Sequence, residues 1–172
     1  MTKTVIQFIV LFVVLILLQL VCNKIVLCGI AMPVVFIYLI LRLPVNLHDG
    51  WVLTIAFFTG LLLDIFTNTP GMNALACTIL AALRRPVFNL FVSRENDMNI
   101  PIPSVDSMGV GDYFKYMAVL VTLHCTLIFL IQAFSLHDIG LTLARIAGSS
   151  VLSIIIIFGL DSLVSTRREK RL

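Results

Sequence analysis

Apolar residues in this chain fall into six runs separated by polar or proline-containing breaks. The runs are Val5–Val21, Ile25–Leu41, Val52–Phe66, Met72–Val92, Met117–Phe134 and Leu141–Val164. A helix needs ~17–25 apolar residues to cross a bilayer, and every run approaches or exceeds that, the third being slightly short. Lipid offers a backbone no hydrogen-bonding partner, and a helix pairs its polar groups segment by segment. The pattern predicts an all-α membrane protein: one integral domain over residues 1–172, a six-transmembrane-helix bundle.

The breaks refine this picture. Asn23-Lys24 is so short that the first two spans must be antiparallel neighbours. The first span, with Gln7 and Gln19 near its ends, reads as a lipid-facing wall. Pro33 removes a backbone hydrogen bond from the second span and predicts a kink. Arg42-Leu43-Pro44 ends that span, Trp51 sits where interfacial aromatics collect, and Pro70-Gly71 closes a tight turn between spans three and four. Span four admits two readings. Either the helix is short and Arg84 and Arg85 lie at the headgroups, or it continues through Pro86 and carries them into the bundle. The first is preferred, because arginine stems snorkel and proline discourages helix. Phe88–Val92 would then lie along the interface, against lipid phosphate or another protein. The long segment Ser93–Asp112 holds Pro101, Pro103, Gly109 and Gly111, which exclude regular helix over much of it. It reads as a docking loop or a plain linker. Tyr113–Tyr116 form an aromatic and basic belt at the start of span five.

Composition agrees with lipid as the solvent. The chain is 60% hydrophobic and 12% charged, with a mean hydropathy of +1.09. Soluble domains carry about 25% charged residues, so this chain lacks the polar surface that water requires. No small-residue cleavage site follows Val5–Val21, which predicts a retained first span. Of the 12 Lys and Arg residues, ten fall on one side of the six-span reading, and only Lys24 and Arg145 fall on the other. That bias places both termini in the cytoplasm. The net charge of +3 resides at membrane edges, so it does not point to nucleic acid. The basic tail Arg167–Arg171 reads as a retention and anionic-lipid signal.

Candidate chemistry is sparse. Cys22, Cys28, Cys77 and Cys125 lie in or beside apolar runs without a CxxC pair, so a reduced packing role is expected. His48, His124 and His137 are scattered. A metal site is not predicted, and His124, within a span, is expected to be a hydrogen-bonded packing residue. In span three Ala56, Gly60 and Asp64 recur at i, i+4, i+8 and share one helix stripe, where small residues let another helix approach closely. Span six carries Arg145, Ser149 and Ser153 along one polar flank, with Ala144 and Gly148 as a small-residue surface. Asp64 and Arg145 lie at matched depth with opposite charge, and intramembrane charges seek partners, so they are the expected intramembrane pair. Asp161 is expected to be neutralised by Arg42, Lys115 or the tail. HExxH, GxSxG and phosphate-cradling glycine motifs are missing, so neither a catalytic residue nor a cofactor is predicted.

Met32-Pro33, Leu43-Pro44, the segment FFTGLLLDIF over Phe57–Phe66, the following Thr69-Pro-Gly-Met-Asn-Ala-Leu and the helix with Arg84-Arg85 together resemble the rod shape-determining protein MreD family. The likeness covers the whole chain in length and topology, and its motifs cover spans two to four. The chain departs from it in the long proline-containing loop. The resemblance implies a non-enzymatic inner-membrane subunit of the bacterial cell-elongation machinery. Its partner would be the bitopic MreC and, through it, MreB filaments, the RodA glycan polymerase and a class B penicillin-binding transpeptidase. It also implies a fold resembling the substrate-binding subunits of energy-coupling-factor transporters, though fold does not establish ligand binding. Two functions follow. In a scaffold, Pro33, Ala56, Gly60, Asp64 and Gly71 serve helix packing or partner binding, with Arg84 and Arg85 as a cytoplasmic interface. A vitamin-carrier subunit would instead need an outward pocket near Asp64, Thr67 and Asn73, and the first span lacks the alanine-rich face such subunits present to their partner.

Overall fold

The computed structural model describes residues 2–23, 31–92, 102–132 and 139–169. Among them the chain is helical: α1 (Thr2–Cys22), α2 (Tyr38–Leu41), α3 (Asp49–Thr67), α4 (Met72–Phe91), α5 (Val105–Met108), α6 (Val110–Gln132) and α7 (Ile139–Glu169). Among the described residues, four helices are long and apolar enough to cross a membrane: α3, α4, α6 and the part of α7 up to Ser162. The protein is thus an α-helical membrane protein. Successive helices pack as neighbours, α3 on α4, α4 on α6 and α6 on α7, while α1 lies against α2 and α3.

The second apolar run departs from expectation. Residues 25–30 lie outside the described residues, and 31–37 form no helix, so the only helix described in this run is the single turn α2. Pro33 therefore does not kink a helix. It sits in irregular backbone, where its missing N–H is harmless and where it biases Met32 away from helical geometry. Every residue from Pro33 to Leu43 is buried. Among the described residues, long helices pack around a central segment that is non-helical from 31 to 37.

Helices α3 and α4 form the tightest pair, and Gly60 explains why. A Cβ at this position would stand 2.5 Å from the Asn73 carbonyl oxygen and 2.6 Å from the Ala74 Cα. Those atoms belong to backbone and cannot rotate away. The turn between the helices needs two left-handed residues, Asn68 at φ 57° and Gly71 at φ 77°. Gly71 bears that conformation without steric cost.

Helix α4 runs unbroken through Pro86 to Phe91, which overturns the short-helix reading. Arg84 lies inside the bundle and Arg85 lies on its surface. Helix α6 begins at Val110, seven residues before the expected Met117, so Gly111 is helical. The remainder of the predicted loop contains α5, whose Ser104 and Ser107 cap one another. Residues 93–101 lie outside the described residues.

Gly60→Leu should leave the protein inserted but lower its thermal unfolding temperature in detergent. Overpacking against fixed backbone costs about 1–3 kcal/mol or more. Wild-type melting of that variant would contradict the close approach of α3 and α4.

Candidate functional site

Non-helical backbone at membrane depth is tolerated only where protein satisfies its polar groups. In residues 32–36 that task falls to three side chains. Gln19 of α1 accepts from the Val35 amide at 2.7 Å and the Phe36 amide at 3.3 Å through its Oε1, and its Nε2 donates to the Pro33 carbonyl at 3.0 Å. Ser149 of α7 accepts from the Met32 amide at 3.0 Å and Ser153 from the Val34 amide at 2.8 Å. The Ser153 hydroxyl also donates to the Ser149 carbonyl, so its hydrogen-bonding capacity is used in both directions. A helix in this place would have satisfied the same amides itself. Here α1 and α7 do it from opposite ends of the sequence.

The far end of the segment is fastened by charge. The Tyr38 hydroxyl donates to Asp161 Oδ1 at 2.8 Å and accepts from Arg42 Nη1 at 2.9 Å, while Arg42 Nε stands 3.8 Å from the same carboxylate oxygen. Asp161 Oδ2 accepts from the Val105 amide of α5 at 3.3 Å. The carboxylate is fully buried, so it ties α2, α5 and α7 together in one node. Next to it, Arg84 donates from Nε to the Tyr116 hydroxyl at 3.2 Å and from Nη2 to the Leu43 carbonyl, and Tyr116 donates to the Leu41 carbonyl at 3.4 Å. The Leu41 and Leu43 carbonyls thus find donors on α4 and α6.

At the opposite end of α3, Asp64 organises the turn. Its Oδ1 accepts from the Thr69 hydroxyl at 2.7 Å, the Asn73 amide at 3.0 Å and Asn73 Nδ2 at 2.9 Å. Its Oδ2 accepts from the Ala74 amide at 2.9 Å. A carboxylate on the first amides of α4 satisfies orphan donors and complements the positive end of the helix dipole.

Comparison with known proteins identifies no relative. No protein family model, curated protein or solved structure matches this chain.

The site residues expected from sequence can now be placed. Ala56, Gly60 and Asp64 do share a stripe, and all three are buried. Gly60 and Asp64 meet α4 of the same chain, so they position the bundle. The expected Asp64–Arg145 pair does not form: Asp64 takes its donors from the α4 terminus, and Arg145 is exposed on α7. Of the groups expected for Asp161, Arg42 pairs with it among the described residues. Lys115 pairs with Asp112 of its own helix at 3.2 Å. The basic cluster at the chain end lies outside the described side chains and backbone, in whole or in part. Thr67 and Asn73 bond within the Asp64 cluster, both of them to Thr69. His124, expected to be a hydrogen-bonded packing residue, is buried, but neither ring nitrogen has a hydrogen-bond partner among the described residues, and its ring packs T-shaped with Phe36 at 5.5 Å. The sequence pattern assigned no site role to Tyr38, placed Gln19 on a lipid-facing wall and Tyr116 in an interfacial belt, whereas all three are buried and bonded to the central segment or its neighbours. Gln19 had one signal, an amide in an otherwise aliphatic span whose burial is costly without partners.

Gln19→Leu should cost about 1–3 kcal/mol for each group left unpaired at Pro33, Val35 and Phe36, whereas Ser153→Ala should cost less. Thermal unfolding of the purified variants in detergent checks the order, and an unchanged Gln19 variant would refute the clamp.

Double-mutant cycles separate the charge assignments. Arg42→Gln and Asp161→Asn should couple by about 0.5–3 kcal/mol, while Asp64→Asn and Arg145→Gln should add to within about 0.5 kcal/mol. Coupling in the second cycle would restore the pair that the geometry replaces.

Proposed function

We propose that this chain is a non-enzymatic subunit of a bacterial cell-elongation complex, of the MreD kind. It would sit in the inner membrane, bind MreC, and through it influence MreB, RodA, a class B penicillin-binding transpeptidase and lateral peptidoglycan synthesis. One observation carries the reading. The sequence blocks that resemble the family, Phe57–Phe66 and Thr69–Leu75, form one interlocked unit, with Gly60 against Asn73-Ala74 and Asp64 on the amides of α4. A protein that works by holding others in place needs a rigid body, and this unit supplies one.

Charge placement supports an orientation with both termini in the cytoplasm. Arg42, Arg84, Arg85 and Lys115 gather at one end of the bundle, through their contacts with Asp161, Leu43, Asp49 and Asp112. Basic residues are retained on the cytoplasmic side. Because the Ala56–Gly60–Asp64 stripe is internal, contact with MreC falls to an outward helix face.

The vitamin-carrier alternative requires Asp64, Thr67 and Asn73 to face a ligand. Their bonds to one another, to Thr69 and to the start of α4 weigh against it. Affinity purification of the full chain from native membranes, followed by mass spectrometry, tests the choice. A bitopic wall-synthesis protein should co-purify. Recovery of a transport ATPase instead, or thermal stabilisation of the purified chain by a vitamin, would defeat the scaffold reading.

A further inference from the structure

Among the described residues, Arg84 is a buried cation without an anion beside it. It is 6% exposed, and the groups it touches, the Tyr116 hydroxyl and the Leu43 carbonyl, are neutral. The ion pairs among the described residues are Arg42–Asp161, Arg85–Asp49 and Lys115–Asp112, and none of them includes Arg84. Arg42, equally enclosed at 7% exposure, has Asp161. Burying a guanidinium against dipoles alone is costly, and buried charges are as a rule paired.

The space beside Arg84 shows where an anion would enter. A small cleft of ≈ 20 Å³, open at its mouth and with room inside for about one water or one anionic oxygen, lies between residues 45–52 and the later turns of α4. Val45, Leu47 and Phe88 give it apolar walls, while Arg84, Arg85 and Asp49 supply its charged groups. Arg85 is exposed and holds both Asp49 oxygens at 3.0 Å through Nη1. That contact sets the mouth level with the first residue of α3, beside the exposed Trp51, at the depth where interfacial aromatics meet headgroups.

We propose that this cleft is a binding site for a phosphate-class anion, with Arg84 as its buried cation and Arg85 at its rim. A guanidinium fork matches phosphate oxygens in geometry as well as charge. Two sources carry this chemistry: the phosphodiester of an anionic phospholipid, and soluble phosphate from the aqueous side. Asp49 acts as an internal competitor, since an arriving anion must share Arg85 with it. The site stands independently of the scaffold reading.

The test uses the full chain, purified and delipidated in a neutral maltoside detergent. It is titrated in separate arms with dioleoylphosphatidylglycerol, dioleoylphosphatidylcholine and inorganic phosphate. Thermal unfolding and native mass spectrometry read the binding. Phosphatidylglycerol or inorganic phosphate should bind and raise the melting temperature, and whichever does so identifies the source. Arg84→Gln should weaken binding about tenfold or more through loss of charge-assisted bonds. Should Arg84→Gln fail to fold, two surface variants decide: Arg85→Gln should weaken binding and Asp49→Asn should strengthen it. The proposal is overturned if neither anion binds, if phosphatidylcholine matches phosphatidylglycerol while inorganic phosphate does nothing, or if both surface variants bind like wild type.

Discussion

The structure depends on satisfying the backbone of a segment that is not helical. Residues 31–37 cross the interior of a helical membrane protein without the ladder that makes a helix self-sufficient, and in lipid each orphaned amide costs several kcal/mol. The remedy is a set of side chains from distant parts of the chain. Gln19 serves three backbone groups at once, and Ser149 and Ser153 serve two more. Each such bond joins an outer helix to the centre, so α1 and α7 are locked to a segment that would be untenable without them.

The ionisable residues follow the same logic. Asp161 is tolerated at zero exposure because the Tyr38 hydroxyl, the Arg42 guanidinium and the Val105 amide surround it. Asp64 is tolerated because the N-terminus of α4 points four donors at it, counting the Thr69 hydroxyl and the Asn73 side chain. Neither carboxylate is left free for chemistry. Both make junctions between elements, which suits a protein whose proposed work is to hold a shape. Arg84 breaks the pattern, being enclosed, among the described residues, with neutral acceptors.

Close packing and polar satisfaction also reinforce one another at the α3–α4 turn. Gly60 lets the backbones approach to a distance no side chain would allow, and that approach brings Asp64 within reach of the Asn73 and Ala74 amides. Enlarging Gly60 would push the amides away from the carboxylate, so the steric and electrostatic penalties would arrive together. The motif is one mechanical unit because neither half works at a larger separation.

Much of this was legible in the sequence. Apolar runs located α1, α3, α4, α6 and α7 to within a few residues at most ends, since transfer from water to lipid is summed residue by residue along a local window. The same local sum misjudged residues 31–37, because hydropathy reports that a segment is buried and not which backbone form it takes. The choice turned on Gln19, Ser149 and Ser153, whose distance in sequence hides their pairing. Depth matching likewise nominated Arg145 for Asp64, whereas the nearer donors of α4, made available by Gly60 and the turn, took the carboxylate first. Solvent preference was thus decided by the sequence itself, as a property of each residue. Partner choice among polar groups was decided by the tertiary structure, because a hydrogen bond requires contact, and contact exists only after the chain has packed.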